Sequence, residues 1–330
     1  MRAIFMREAG DPEVLELRDT TVPEIGNGQI LIEVAAAGVN RPDIAQRKGL
    51  YPVPKDASPI LGLEVSGTVS AKAADVTAFE IGDRVFALAH GGGYATHCIV
   101  DARHAFHMPR GLTFVEAAAL PEVAYTVEFN MFLRAALSSG ETVLIHGGSS
   151  GIGSHATNRA KMSGATVITT CGSARKCDFS LSRGADLSIN YRAADWVEEV
   201  MTFTKGRGVD VILDMVGGDY VNRNLRCLAD DGRYALISLQ AGKQTSIELE
   251  GILRRRLTIS GSTLRPLDAD RKAEIADSIR IGVLPLIERG ALRPHIHQTF
   301  PLTEAAAAHR LMESGEHLGK IVLTVGATGA

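Results

Sequence analysis

The sequence predicts an α/β protein with two domains, one rich in strands and one built on a doubly wound parallel sheet. Its 330 residues exceed the ~100–200 residues of a single domain. The first 120 residues contain short apolar runs broken by glycine, whereas strand-like and helix-like runs alternate from about Leu137. Closely spaced strands favour a barrel-like antiparallel region, and the alternation favours βαβ units with helices on both faces of a parallel sheet.

The β-rich region is predicted from strand-like runs that are interrupted by glycine. They are "QILIEVAAAGV", "LEVSGTVSAKAADV", "FEIGDRVFAL" and "GGYATHCIV". After about Pro266 the pattern becomes mixed, with a helical stretch to Arg289, the run "HIHQTFPL", a further helix and "GKIVLTV". We expect this tail to return and complete the first region.

The parallel sheet is predicted from six runs rich in Val, Ile and Leu, because strands that are buried on both faces are apolar throughout. They are "TVLIHG", "TVITTCG", "LSINY", "VDVILDMVGG", "GRYALISL" and "LTISGST". The alternating helices include "GIGSHATNRAKMSG", which ends at Gly164, and "ARKCDFSLSRGA".

A glycine-rich turn follows the first of these strands, in the stretch "VLIHGGSSGIGSHA". The unpaired N–H groups and partial positive charge of a helix N-terminus suit a phosphate, and glycine lets the backbone approach it. By itself the G-x-x-G-x-G spacing also fits a tight strand–helix connection. Its place at the start of the alternating region favours dinucleotide binding. The predicted cofactor-binding residues of the turn are Gly148, Ser149, Ser150, Gly151, Ile152 and Gly153.

The end of the second strand indicates which dinucleotide is preferred. NAD-binding proteins usually carry an acidic residue there, on the ribose hydroxyls. This chain has "CGSARK" instead, so Ser173, Arg175 and Lys176 offer hydrogen-bond donors and positive charge to a 2′-phosphate. The alternative is a solvent-exposed helix start that Ser173 caps. We expect NADPH.

Composition and charge exclude several classes of protein. The net charge is −3, and the basic triplet at 254–256 is expected to be a solvated helix end, so nucleic-acid binding is not indicated. The four cysteines lack metal-ligand spacing, and a chain of this length does not need disulfides. The N-terminus lacks an apolar signal core, and no apolar run reaches the ~18 residues of a membrane span. We expect a cytoplasmic protein with free thiols.

Several stretches, in this order along nearly the whole chain, resemble the medium-chain dehydrogenase/reductase superfamily. More narrowly, they resemble its zinc-free quinone oxidoreductase (zeta-crystallin-like) branch, and within it the tumour-suppressor-inducible NADPH quinone oxidoreductases. The stretches are "GVNRPDIAQRKGLYP", "PILGLEVSGTV", "GDRVFAL", "GGGYA", "LPE", "ETVLIHGGSSGIG", "GVDVILDMVGG" and "GKIVLTV".

The resemblance implies a GroES-like catalytic domain formed by residues 1–122 and 265–330. It places a Rossmann NADPH-binding domain, residues 123–264, between these two parts. It also implies that a cleft between the domains holds the nicotinamide and the substrate, and that the protein is a homodimer in which "LTISGST" pairs with its copy.

The chain departs from the zinc-dependent relatives at two positions. Those relatives carry cysteine and histidine where this chain has Asn40 and Leu63, and neither side chain supplies a thiolate or an imidazole. The four-cysteine lobe that binds structural zinc is also absent from the sequence. We therefore expect no metal, and ordinary structural roles for His104, His107 and His146.

The resemblance also implies individual site residues. Asn40 and Tyr51 are the expected catalytic residues: the Asn40 amide would bind a quinone oxygen or the nicotinamide ribose, and Tyr51 would stack on the substrate ring or donate its hydroxyl to a developing oxyanion. Asp214 is expected to be structural, Arg41 and Arg47 to be surface charges, and Glu128 to make the cleft more polar. The remaining expected cofactor contacts are Thr126, Tyr191, Gly217, Ser238, Leu239, Thr263 and Leu264.

The sequence thus predicts an NADPH-dependent quinone oxidoreductase whose partner is a small quinone or conjugated carbonyl compound. A double-bond reductase that acts on alkenals or enoyl thioesters would use the same cofactor, and the sequence does not separate the two. An NADPH-holding structural or RNA-binding protein is the alternative from another class, and the acidic balance argues against RNA.

Overall fold

The computed structural model describes residues 1–326, and its chain forms two compact units. Unit 1 comprises Met1–Tyr125 and the chain from Arg265 onward, and unit 2 comprises Thr126–Leu264. The predicted boundary at 122/123 lies within a helix, Pro121–Val127, whereas the units divide after Tyr125.

Fifteen strands and eleven helices make up these two units within residues 1–326. The strands are β1 (Arg2–Met6), β2 (Leu15–Asp19), β3 (Gln29–Val39), β4 (Glu64–Lys72), β5 (Arg84–Leu88), β6 (His97–Asp101), β7 (Ala105–His107), β8 (Thr142–His146), β9 (Thr166–Cys171), β10 (Leu187–Asn190), β11 (Val209–Asp214), β12 (Leu228–Leu236), β13 (Thr258–Gly261), β14 (Ile296–Pro301) and β15 (Lys320–Thr324). The helices are α1 (Arg41–Arg47), α2 (Phe114–Ala117), α3 (Pro121–Val127), α4 (Gly151–Met162), α5 (Ala174–Ser182), α6 (Trp196–Phe203), α7 (Tyr220–Cys227), α8 (Leu249–Arg255), α9 (Ala269–Gly282), α10 (Leu284–Glu288) and α11 (Ala305–Ser314).

Unit 1 is organised around the long strand β3. Six strands follow the order β14-β15-β3-β4-β5-β7, and β6 also pairs with β3. The tail strand β15 is antiparallel to β3, with Ile321 opposite Val39 and Leu323 opposite Ala37. The β3–β4 pairing contains register shifts, which bend a strand. Along its length β3 pairs with three strands: β4, β6 and β15. The β-rich, GroES-like region is thus confirmed.

The core of unit 1 follows from alternation along β3. Ile30, Ile32 and Val34 are buried together with residues of the tail such as Ile321 and Leu323. Because side chains alternate across a strand, one apolar face of β3 is enough to position this core.

Arg47 differs from the sequence expectation of a surface charge, whereas Arg41 is exposed as expected. The Arg47 side chain is fully buried at the end of α1, where Nε donates to the carbonyl of Gly10 at 2.9 Å. Its Nη1 and Nη2 atoms donate to the two carboxylate oxygens of Glu313 on α11, at 3.0 and 2.9 Å. A buried guanidinium needs such a partner, and this one lies 266 positions away in the sequence.

Unit 2 contains a six-stranded, wholly parallel sheet with the order β10-β9-β8-β11-β12-β13. The order reverses between β8 and β11, which is the switch point of a doubly wound fold. One core lies on the face that includes Val143 and Ile145, and another on the face that includes Leu144 and Ile212. The predicted Rossmann-type sheet is thus confirmed, and the carboxyl ends of all six strands lie along one edge.

Two further observations bear on the sequence expectations. All four cysteines are buried and unpaired. Among the helices of residues 1–326, none has the length and apolar character that crossing a bilayer requires.

The ion pair between the buried Arg47 and the partly exposed Glu313 is predicted to stabilise unit 1. Hydrogen bonds from Arg47 lower the pKa of Glu313 to about 2, from a usual value of 4.5. The stabilisation is therefore complete above about pH 4.5 and is lost as the pH falls towards 2. Glu313→Gln should lower the free energy of unfolding by about 2 kcal/mol at pH 7. Urea unfolding from pH 7 down to pH 3 measures this difference, which should shrink with falling pH.

The exposed residue Glu316 provides the matched control, and Glu316→Gln should leave the free energy of unfolding unchanged. A loss of stability in Glu313→Gln that stays the same at pH 3 and pH 7 would contradict the ion-pair explanation.

Candidate cofactor and substrate sites

The glycine turn of unit 2 is held closed by tight packing. Ser150 caps α4, and its Oγ accepts a hydrogen bond from the N–H of Gly153 at 2.9 Å. A Cβ placed on Gly153 would lie 2.2 Å from the carbonyl oxygen of Gly147, and one on Gly148 would lie 2.6 Å from Thr169 Cβ. A side chain at Gly153 would collide with the turn itself, and one at Gly148 would collide with β9 and with Ser180 on α5.

The start of α4 presents free hydrogen-bond donors. The backbone N–H groups of Gly151 and Ile152 have no acceptor among the described residues. The helix is twelve residues long, so its dipole adds a partial positive charge at this end. Ser149 is buried, and Ser150 is engaged as the cap, so the backbone donates more here than the serine hydroxyls. This arrangement can bind a pyrophosphate.

Three of the residues predicted to bind a 2′-phosphate lie near the end of β9. Ser173 caps α5 and accepts from the N–H of Lys176 at 3.4 Å. The hydroxyl of Tyr191, which follows β10, would lie 2.7 Å from a Cβ on Gly172 and therefore stands beside this cap. The segment between β9 and the first turn of α5 carries no acidic residue. The site offers hydroxyl groups and a cation, and the segment 172–177 adds no carboxylate that would repel a phosphate.

The later strands bring the weaker candidates to the same edge of the sheet. Gly217 follows β11 with a φ of +67°, and a Cβ on it would meet Leu239 Cδ2 at 2.8 Å. Ser238 and Leu239 follow β12, and Thr263 and Leu264 follow β13. In a doubly wound sheet, ligands bind at this edge.

Asp214 has the structural role that the sequence suggested. Its carboxylate accepts the backbone N–H groups of Val216 and Gly217, at 2.6 and 3.2 Å, and it also accepts from Asn224 Nδ2 at 3.1 Å. It thereby fixes the loop that carries Gly217.

The histidines considered above have local partners. Both ring nitrogens of His146 are engaged, with Thr170 Oγ1 at 2.8 Å and Asn224 Oδ1 at 2.7 Å. The Nε2 atoms of His104 and His107 contact the carbonyl oxygens of Ala269 and Ala78.

Glu128 differs from the expectation that it makes a cleft more polar. It begins a π-helical segment, Glu128–Arg134, directly after Thr126 and Val127. Its side chain is buried, and Oε1 accepts from Arg159 Nε at 2.7 Å within unit 2. A buried carboxylate needs such a cation, so its charge is used inside the unit. The carbonyl of Thr126 accepts from the side chain of Asn130 at 2.8 Å.

Asn40 lies in a buried polar cluster of unit 1. Its Nδ2 donates to Glu64 Oε1 at 2.8 Å, and its Oδ1 accepts from Lys320 Nζ at 2.6 Å. Lys320 Nζ also contacts Glu64 Oε1 at 2.6 Å. The amide therefore bridges an ion pair, and one N–H of Nδ2 is left for a further partner.

The side chains around Asn40 do not offer the thiolate and imidazole ligands that zinc prefers. An ammonium group already neutralises Glu64, Asn40 offers only an amide, and the buried Leu63 offers no donor atom. Within residues 1–326, no three His, Cys, Asp or Glu side chains are grouped so that they could hold a metal ion. The residues present do not fit zinc.

Tyr51 is half-buried beside the Arg265 guanidinium of unit 1. The Arg265 guanidinium lies 5.9 Å from the centre of its ring, and its hydroxyl has no hydrogen-bond partner among the described residues. Burial raises the pKa of Tyr51, and the nearby carboxyl of Glu122 raises it further. The phenol thus stays protonated and is able to donate a hydrogen bond.

Glu122 is a functional candidate that the sequence reasoning missed. Only 8% of it is exposed, and its backbone N–H donates to Glu64 Oε2 at 2.9 Å. Burial raises the pKa of its carboxyl to about 8, and the negative charge of Glu64 adds to this rise. The signal was available, because Glu122 is a charged residue inside the apolar run "AAALPEVAYTV".

Two family descriptions match the chain. Residues 26–110 match the alcohol dehydrogenase GroES-like domain, and residues 183–323 match the zinc-binding dehydrogenase family.

Individual proteins are similar over almost the whole length. The chain is 32% identical to quinone oxidoreductase of Rattus norvegicus, over 98% of this chain and 97% of that protein. Among solved structures, Escherichia coli quinone oxidoreductase complexed with NADPH has a TM-score of 0.88 and 30% identity, over 98% of this chain and all of the other. The CurK enoyl reductase has a TM-score of 0.85 and 28% identity, over 98% and 99%.

These matches agree with the doubly wound sheet, the glycine turn and the β-rich unit. The chain is therefore an NAD(P)-dependent oxidoreductase that belongs to the quinone oxidoreductases of the medium-chain dehydrogenase/reductase superfamily.

Proposed function

We propose that the protein is an NADPH-dependent quinone oxidoreductase that works without zinc. The observation that carries the proposal is the half-buried Tyr51 hydroxyl, which lies near the Arg265 guanidinium and has no hydrogen-bond partner among the described residues. Such a donor stabilises the oxyanion that forms when a quinone is reduced, without a Lewis acid. The relationship to quinone oxidoreductases supports the same substrate class.

In this proposal, residues of unit 2 bind the cofactor and residues of unit 1 bind the substrate. In unit 2, the N–H groups of Gly151 and Ile152 hold the pyrophosphate, and Ser173, Lys176 and Tyr191 hold the 2′-phosphate. In unit 1, Tyr51 binds the substrate oxygen, and Asn40 links the substrate region to the pair of Lys320 and Glu64. When bound, the reduced nicotinamide supplies the hydride.

We propose NADPH in preference to NADH from the charges at the end of β9. A dianionic 2′-phosphate gains charge-assisted hydrogen bonds from a lysine and from hydroxyl groups, whereas a carboxylate there would favour the ribose diol of NADH. The absence of a carboxylate from the segment between β9 and α5 supports this assignment.

A double-bond reductase remains the second candidate, because the CurK enoyl reductase shares the fold over nearly the whole chain. An alkenal or enoyl thioester would also place its carbonyl oxygen at Tyr51. The Tyr51 hydroxyl and the nearby Arg265 guanidinium would stabilise the enolate that hydride addition leaves.

We also propose that the protein is a homodimer that forms along the edge of the parallel sheet. Among the strands of residues 1–326, β13 pairs with β12 alone, so its other side is an open edge there. Exposed apolar residues accompany this edge: Ile247, Leu249, Leu253 and Ile259. A second copy would pair with the edge and cover these side chains.

The substrate class is tested by comparing three oxidants with NADPH: 1,2-naphthoquinone, a 2-alkenal and crotonyl-CoA. The quinone should have the highest kcat/KM, because it accepts hydride without activation by a metal. A wide preference for the thioester would establish the double-bond reductase instead. RNA retention that depends on salt, with no oxidation of NADPH by any of the three, would favour the binding-protein alternative.

The cofactor preference is tested with Lys176→Ala. The KM for NADPH should rise about ten-fold or more, since a hydrogen bond between charged groups contributes about 1.5–3 kcal/mol. The KM for NADH should hardly change. Steady-state kinetics with both cofactors measure the effect, and Lys205→Ala, at the opposite edge of the sheet, is the control. An equal rise for the two cofactors would contradict the assignment.

The dimer is tested by light scattering. The wild-type mass should be twice that of the chain, and Leu253→Glu should shift the equilibrium towards monomer, because it places a charge on the apolar edge. Ile281→Glu on α9 is the matched control, since both side chains belong to residues that are 81% exposed. A wild-type protein that scatters as a monomer would rule out the proposed interface.

A further inference from the structure

Four side chains of unit 2 form a buried network at the carboxyl edge of the parallel sheet: His146, Thr170, Asp214 and Asn224. Each of these residues is at most 1% exposed. His146 Nδ1 lies 2.8 Å from Thr170 Oγ1, and His146 Nε2 lies 2.7 Å from Asn224 Oδ1. Asn224 Nδ2 donates to Asp214 Oδ2 at 3.1 Å. The buried network therefore joins the neighbouring strands β9, β8 and β11 to α7.

The direction of each hydrogen bond in the buried network follows from its chemistry. The Asp214 carboxylate accepts, so the amide nitrogen of Asn224 faces Asp214 and the amide oxygen faces His146. Burial lowers the pKa of His146, so the ring is neutral near pH 7. Its one proton must then lie on Nε2, which donates to Asn224, and Nδ1 accepts from the Thr170 hydroxyl.

The buried network reaches three loops that carry predicted cofactor contacts. His146 is the last residue of β8 and directly precedes the glycine turn. Thr170 lies one residue before the end of β9, beneath the loop predicted to bind the 2′-phosphate. Asp214 ends β11 and accepts the backbone N–H groups of Val216 and Gly217. The three loops are therefore held by one set of hydrogen bonds.

The glycine turn and the loop after β11 are also packed against each other. A Cβ on Gly147 would lie 2.9 Å from Met215 Sδ, and the Ser150 hydroxyl donates to the same sulfur at 3.9 Å. Met215 directly follows Asp214, so a shift of Asp214 would press Met215 against the turn or withdraw it. The position of the glycine turn thus depends on the hydrogen bonds that hold Asp214.

We propose that His146 and Asn224 are positioning residues for the cofactor: they hold the loops after β8, β9 and β11 in the relative positions that bind a whole dinucleotide. The inference rests on the proposed binding of NADPH along this edge and adds the residues that align its parts. Both side chains are fully buried, so they act through the loops and not by contacting the cofactor.

An amide suits position 224 because it must accept on one side and donate on the other. Asn224 accepts from the ring N–H of His146 and donates to the Asp214 carboxylate. A leucine offers neither function, whereas a protonated carboxyl group offers both. The charged or titratable groups around this position are His146, Asp214, Tyr220, Arg223 and Tyr234.

The first test is calorimetric titration of wild-type protein and of Asn224→Leu, a substitution of similar size that removes both hydrogen bonds. The Kd for NADPH should rise about ten-fold, because buried groups lose their partners and the loops lose their relative positions. The Kd for adenosine 2′-phosphate should change less than about two-fold, because this ligand occupies only the loop after β9. Equal weakening of both ligands would indicate a general loss of structure and contradict the positioning role.

The matched control is Asn222→Leu on the same helix. The Nδ2 atom of Asn222 donates to the carbonyl of Ser246, outside the buried network. Asn222 is half-buried, and its substitution should leave both dissociation constants unchanged.

Asn224→Asp is the conservative variant. At pH 6 the new carboxyl group, buried beside Asp214, should hold a proton and so reproduce the donor and acceptor of the amide. The Kd for NADP⁺, which is stable in acid, should then lie much closer to the wild-type value than to that of Asn224→Leu. A Kd as high as that of Asn224→Leu would contradict the assigned directions of the hydrogen bonds.

A further readout needs no cofactor. Nitrogen-15 NMR of the histidine side chains distinguishes the two tautomers of a neutral ring, and His146→Gln identifies the signals of His146. The wild-type ring should carry its proton on Nε2. Thr170→Val removes the donor to Nδ1 and should shift the Nδ1 signal, whereas Thr170→Ser keeps the hydroxyl and should preserve it. A proton on Nδ1 in the wild-type protein would contradict the buried network as assigned.

The outcomes separate the two hypotheses. Equal binding of NADPH by wild-type protein and by Asn224→Leu would overturn the positioning role, even if quinones are good substrates. Failure of the wild-type protein to bind NADPH would overturn the proposed function. The same titrations with NADH would then decide the positioning role, because either cofactor would contact the loops after β8 and β11.

Discussion

The buried ion pair between Lys320 and Glu64 is the interaction on which the β-rich unit depends. It joins β15 to β4 across 256 positions of sequence. Two charges buried this deeply are stable only when further hydrogen bonds satisfy them, and Asn40 provides one to each partner. The expected substrate-binding amide is thus also part of the structural link that closes unit 1.

The same pair sets the electrostatics of its surroundings. The negative charge of Glu64 favours the neutral form of Glu122, and Lys320 opposes it. Burial is the main cause that raises the pKa of that carboxyl to about 8, and the ion pair adjusts the rise. The ion pair therefore links the structure of unit 1 to the charge state of a buried neighbour. In unit 2, by contrast, the site depends on steric fit and backbone dipoles, because Gly153 leaves no space for a Cβ and α4 supplies the charge.

Local features of the site could be predicted from the sequence because they depend on short-range pattern. Alternating strands and helices gave the α/β class, and the glycines at 148–153 marked the turn whose N–H groups are free. Arg47 and Glu128 could not be placed in this way, because the partners that determine their states are distant along the chain, whereas the charge of Glu122 inside an apolar run was visible in the sequence. Arg47 pairs with Glu313, 266 positions away, and Glu128 pairs with Arg159. The periodicity of apolar residues predicts which face of a helix is buried. It does not predict which residue of opposite charge will pair with a charged side chain on that face.

The pairing of β3 with β15 has a consequence for synthesis. The parallel-sheet unit, residues 126–264, is complete in the nascent chain before β15 has been translated. The part of β3 from Ala36 to Val39 therefore remains unpaired on one side until β15 has been synthesised. By then the whole of unit 2 has already been translated. A chain that ends before β15 would contain all of unit 2 together with a β3 strand whose edge from Ala36 to Val39 is open to association.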